Sequence, residues 1–219
     1  MTRPPSPPMI ESRWPVALTI LVVLVLLTVL PDRVRFAPVW VPYLLGVVIL
    51  AAIAMVPLTG GKRRALRTER FITLLFSLLV GAGTLADLGY LIEEMFNPSG
   101  ELNGLELFTS SIAVWVITIL IFALVYWQSD RGGPEMRRRD HRQPPDWLFP
   151  QAELKEILPH WQPTFVDYLF LSYTTATAFS PADVAPLTDR AKLTLMAQSL
   201  ISLATILLVV SRAIGIIGT

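Results

Sequence analysis

The stretch LELFTSSIAVWVITILIFALVYW, residues 105–127, decides the fold. It holds 23 residues with a single charge, Glu106, near its start. As an α-helix it reaches about 35 Å, enough to cross a hydrocarbon core of about 30 Å. A helix in a soluble core would show one polar face instead. Four further runs share this character: residues 14–30, 39–58, 71–91 and 193–217. The pattern predicts an all-α, polytopic helical membrane protein with about five transmembrane helices. One short re-entrant or half-spanning helix accompanies them, with six spans as the alternative.

Composition points the same way. Of 219 residues, 53% are hydrophobic and only 16% charged, against roughly 25% charged in soluble domains. Mean hydropathy is +0.56. Lys plus Arg number 18 and Asp plus Glu 17, so no bulk-charge footprint for nucleic acid exists. The chain has no cysteine, which excludes disulfides, thiol catalysis and Cys-ligated metal sites. His141 and His160 stand apart without ligand spacing, and no metal or cofactor is expected.

Basic residues orient the spans. Lys62, Arg63, Arg64, Arg67 and Arg70 follow the second run, against one acid, Glu69. After the third come Glu93, Glu94, Glu101 and Glu106, without a base, and after the fourth Arg131, Arg137, Arg138, Arg139 and Arg142. Basic, acidic, basic is the alternation that antiparallel spans require. The N-terminus, with Arg3 and Arg13, is then expected to be cytoplasmic, and Arg33 and Arg35 are the one exception. The first run lacks small residues at a cleavage position and reads as a retained span rather than a signal peptide.

Three regions follow: a four-helix transmembrane region over 1–127, a Pro/Arg-rich cytoplasmic arm over 128–164, and a helical hairpin over 165–219. Prolines at 134, 144, 145, 150, 159 and 163 break the arm, leaving room for a short helix over 151–158. Arg137, Arg138, Arg139 and Arg142 are candidates for contact with anionic lipid headgroups, at roughly 1 kcal/mol per basic residue. The plainer reading is that they only set topology. Trp147, Leu148 and Phe149 are apolar in a polar arm. They either bind a protein partner, tuck against helix ends, or join a homo-oligomer contact.

The hairpin reads FVDYLFLSYTTATAFSPADVAPLTDRAKLTLMAQSLISLATILLVVSRAIGII from Phe165. Its first part, residues 166–180, is too short to cross comfortably, and Thr174, Thr175 and Thr177 make its second half polar. The landmarks Asp167-Tyr168, Thr174-Thr175-Ala176-Thr177, Asp183, Pro186-Leu187-Thr188 and the helix from Ala191 resemble the pore unit of potassium-channel-like proteins. The strings YWQSDRGGP, PDWLFPQ and ATAFSPADVAPLTDRAKL resemble an uncharacterised family of bacterial multipass membrane proteins. That second resemblance implies a fold and a bacterial inner-membrane location, and no established activity. A potassium filter stacks backbone carbonyls on glycine-rich backbone. Thr177-Ala178-Phe179-Ser180-Pro181 has no glycine, so potassium selectivity is rejected.

Polar residues inside the apolar runs are the remaining candidates. Thr194, Gln198, Ser202, Thr205 and Arg212 keep to one helical face. Such a stripe either lines a water path or joins helices by hydrogen bonds. Asp87 is an intramembrane acid, costly by about 2.5–3.5 kcal/mol at the bilayer centre, unless it lies shallow enough to be hydrated. If 166–180 dips and returns, the last helix runs outward and brings Arg212 towards the level of Asp87. No Ser/His/Asp set, HExxH, Walker loop or GxGxxG motif occurs, so no enzyme is expected. The expected activity is channel-like or transport-related; the alternative is a scaffold that binds a partner through the arm.

Overall fold

In the computed structural model the described residues are 12–32, 34, 35, 38, 40–58, 63–97, 103–139, 144–154, 157, 161–177 and 184–217. They carry seven α-helices: α1 (Trp14–Val29), α2 (Trp40–Leu58), α3 (Arg63–Phe96), α4 (Gly104–Ser129), α5 (Pro134–Arg139), α6 (Phe165–Ala176) and α7 (Asp189–Ile217). The described residues are all-α apart from one two-residue antiparallel pair, β1 (Trp147–Leu148) with β2 (Ala185–Pro186). Each of the five apolar runs falls on a helix. Three helices are long and apolar enough to cross a membrane: Arg64–Phe96, Gly104–Gly132 and Asp189–Ile214. Trp14–Val29 and Trp40–Met55 are apolar but shorter.

The helix ends follow from local chemistry. Pro15 opens α1, and Pro31, which cannot continue a helix, follows its end. Arg35, the exception to the charge pattern, folds back to donate to the carbonyls of Leu27 (3.0 Å) and Leu30 (2.7 Å). Its cation thereby satisfies the orphan carbonyls of the α1 terminus. Asn103 and Glu106 form a capping box at the start of α4. Arg63 to Arg70, expected as a loop, is instead the first two turns of α3. Arg and Glu are good helix formers, so the helix continues past the point where apolar composition stops.

α4 is the hub. It packs against α1, α3, α6 and α7, and Ile117, Leu124, Tyr126 and Trp127 on it are fully buried. Side chains with no water around them satisfy their own hydroxyls. Thr73, Ser77, Thr84, Ser111 and Thr118 each donate to the carbonyl four residues back. Where a short helix over 151–158 is expected, the described residues show a 3-10 turn, Pro150–Ala152, and residues 155, 156 and 158–160 lie outside the described set.

Candidate functional site: a half-length helix and the polar end of the bundle

α6 runs antiparallel to α4 and stops halfway along it. The Phe165 ring meets the Trp127 ring edge-on at 5.9 Å, whereas twelve residues further back along α4 the Trp115 indole donates to the Ala176 carbonyl at 3.4 Å. A capping box of Thr164 and Asp167 starts the helix. By Ala185 the chain has returned to the end it left, because β2 pairs with β1 and the Trp147 ring lies 4.8 Å from that of Tyr126. Arg190 then donates to the Ser129 carbonyl at 3.2 Å, so α7 also starts at this end. α6 thus leaves this end of the bundle and β2 lies back at it.

One glutamine locks the hairpin to α4. The Gln198 amide nitrogen donates to the carbonyl and hydroxyl of Ser172, both at 2.8 Å, and its oxygen accepts from Tyr126 at 2.5 Å. Ser172 donates onward to the Ile119 carbonyl at 2.7 Å. Three helices therefore meet on one buried side chain. Thr174, Thr177 and Thr205 donate to Phe170, Tyr173 and Ile201 on their own helices. Ser202 is 1% exposed and its hydroxyl has no partner. Gln198, Ser202 and Thr205 on α7 are thus buried, and of these three only Gln198 bonds to other helices.

Asp87 is buried at 2% exposure and is in contact with polar or charged neighbours. Gly81 on α3 faces Ile121 on α4, with only 3.6 Å from an added Cβ to that side chain. Six residues on, Asp87 stands about 9 Å higher, level with Trp115 and hence with the end of α6. Arg212 lies 22 residues beyond Arg190 on α7, about 33 Å up. It overshoots Asp87 and comes level with Glu94, and its Nε and Nη2 have no hydrogen-bond partner. A cavity of about 370 Å³ lies between α3, α4 and α7, walled by Leu78, Gly81, Ile121, Phe122 and Ile201.

At the other level, where α6 and α7 start, charges are knotted together. Arg13 and Glu69 form a buried pair at 2.9 Å, with the Arg13 guanidinium 5.5 Å from the Trp127 ring centre. Asp130 accepts from the Tyr168 hydroxyl at 2.5 Å and from the Asp146 backbone N–H at 2.8 Å. Asp146 in turn accepts from Thr188 (2.6 Å) and Arg190 (2.5 Å). Arg137, expected at the lipid surface, is only 4% exposed. It donates to the Trp127 carbonyl at 2.6 Å and lies over the Tyr168 ring, because the carbonyls at the end of α4 attract a cation. Arg138 and Arg139 belong to α5, their side chains outside the described set; Arg142 lies outside it altogether. Trp147 and Phe149 pack on Tyr126, Trp161 and Tyr168 at 3% and 4% exposure.

Sequence reasoning missed Asp130, Asp146, Tyr168, Arg190 and Tyr126. Fold and site together define a helical bundle with membrane-spanning capacity, a half-length internal helix and a charged end. No family model, no curated protein and no solved structure matches this chain.

Proposed function

We propose that this chain is an integral membrane protein in which α6 is a re-entrant half-helix, and that it moves a small cation rather than catalysing a reaction. One observation carries the reading: α6 ends beside Trp115, halfway along the hub helix, at the level of buried Asp87. The C-terminal end of a helix is a partial negative charge. Irregular backbone at membrane depth persists only where protein or a wet cavity surrounds it, and broken helices of this kind serve ions in transporters. The resemblance to bacterial multipass membrane proteins supports an inner-membrane location, and the alternation of basic and acidic linkers supports a cytoplasmic N-terminus. Potassium selectivity stays excluded, since no glycine follows Thr177 before Pro181.

The test has two arms. In proteoliposomes a proton, sodium or potassium gradient is expected to dissipate through the protein, and Asp87→Asn to slow this at least about tenfold, as loss of a charge-stabilised site would. Absence of flux for all three ions sinks the transport reading. Cysteines replacing Arg67 and Leu187 should label from the same side, and one appended after Thr219 from the other. Labelling of the Leu187 position from the side opposite Arg67 sinks the re-entrant reading.

A further inference from the structure

A cavity of about 410 Å³ opens at the charged end, between the start of α3 and the turn joining α4 to α5. That volume is within the range of small-ligand sites, roughly 300–1,000 Å³. Its wall includes Arg67, Arg70, Gln128, Glu135 and the turn glycines Gly132 and Gly133. Arg13 and Glu69 also line it, but they neutralise each other at 2.9 Å. Four side chains have no partner within the protein here. Among the described residues neither Arg67 nor Arg70 has an ion-pair partner, and Glu135, 8% exposed, has none either. Gln128 is 1% exposed, yet its amide oxygen and nitrogen both lack hydrogen-bond partners. Buried side-chain amides are rarely left so.

The turn makes the room. Arg131, Gly132 and Gly133 have φ of 48°, 81° and 103°, a left-handed run that glycine adopts readily. A Cβ on Gly132 would come 3.3 Å from the Arg70 guanidinium, and one on Gly133 would come 3.1 Å from the Gln128 amide oxygen. The bare glycines let both polar heads face the cavity. A purely anionic ligand would meet Glu135, and a purely cationic one would meet two arginines. Only a ligand bearing both signs satisfies every wall group, with acceptors for the Gln128 N–H and a donor for its oxygen.

We propose that this cavity binds a phosphoethanolamine group, phosphate against Arg67, Arg70 and the Gln128 amide nitrogen, ammonium against Glu135. The group reaches it as the headgroup of a membrane phospholipid, since the cavity sits where the apolar helices end; this source rests on the membrane reading above, whereas the binding chemistry does not. The experiment compares full-length protein in detergent mixed with phosphatidylethanolamine, phosphatidylglycerol or phosphatidylcholine, reading retained lipid by native mass spectrometry and thermal shift. Phosphatidylethanolamine should be retained about tenfold better than the other two. Arg70→Gln should abolish that retention, and Glu135→Gln should remove the preference over phosphatidylglycerol while leaving the protein folded. Gln128→Leu keeps the test decisive if the charge variants unfold: the lipid-free protein should melt higher and the lipid-dependent shift should vanish. Free O-phosphoethanolamine competing as well as the lipid would assign a soluble ligand in place of the headgroup and overturn the lipid source. Equal retention of all three lipids, or a Gln128→Leu protein that still responds to phosphatidylethanolamine, would overturn the site. Vesicle flux is not read, so absence of transport leaves this outcome independent.

Discussion

Asp130 shows what a single carboxylate does at the charged end of the bundle. At 1% exposure it has lost most of its water, and burial of an ion is tolerated only when its lone pairs are filled. The Tyr168 hydroxyl and the Asp146 N–H fill them from two segments far apart in sequence. Tyr168→Phe removes one of these bonds and is expected to cost about 1–2 kcal/mol. Asp130→Ala strands both donors, for roughly 2–5 kcal/mol in all. Because the residues share one network, the double variant should be no worse than Asp130→Ala by more than about 0.5 kcal/mol. Denaturation of the detergent-solubilised protein by increasing SDS measures all three; additive losses would mean that the hydrogen bond contributes nothing.

Among elements, the join between α6, α7 and α4 separates two roles that one polar stripe can play. If Gln198 lined a water path, Gln198→Leu would change flux and leave the fold alone. Its bonds to Ser172 and Tyr126 give the opposite expectation. Interhelical hydrogen bonds in membranes average about 0.6 kcal/mol and reach about 1.7, so Gln198→Leu should destabilise by roughly 1–2 kcal/mol and raise amide exchange in α6. Unchanged exchange across Phe165–Ala176 would contradict this. The same join marks how far sequence reading reaches. The apolar runs were legible because a membrane dictates about 20 residues per span, and residues 166–180 were legible as too short for the same reason. Helix ends were not, since Arg63 to Arg70 supports helix without any hydrophobic signature. Nor was the direction in which Gln198 faces, because a stripe at helical spacing is the same whether water or Ser172 lies opposite. Asp130, Tyr168 and Arg190 were invisible for a further reason: their partners lie 16 to 61 residues away, and no local pattern encodes such pairings.

For the whole molecule, the membrane role proposed above makes unequal helix lengths something a bilayer must accommodate. α1 has 16 residues, about 24 Å, while α3 has 34, about 51 Å, against a core of about 30 Å. α1 cannot slide freely to share the deficit, because Arg13 at its start is paired with Glu69 on α3, while at its far end Arg35 closes the Leu27 and Leu30 carbonyls of α1 itself. Pro15 and Pro31 prevent lengthening by added turns. The long helices can tilt or project without loss, so the short side alone sets the preferred thickness. Each ångström of mismatch costs a fraction of a kcal/mol, and a thicker bilayer either draws polar residues such as Arg13 and Asp32 into lipid or strains the Arg13–Glu69 pair. The protein should therefore unfold most slowly in short-chain phosphatidylcholine vesicles and faster in medium- and long-chain ones. Glu69→Gln, which loosens the tether at one end, should flatten that dependence while lowering stability in the thin bilayer. Stability that rises with chain length, or a Glu69→Gln protein with the same thickness profile as the parent, would show that α1 does not set the fit.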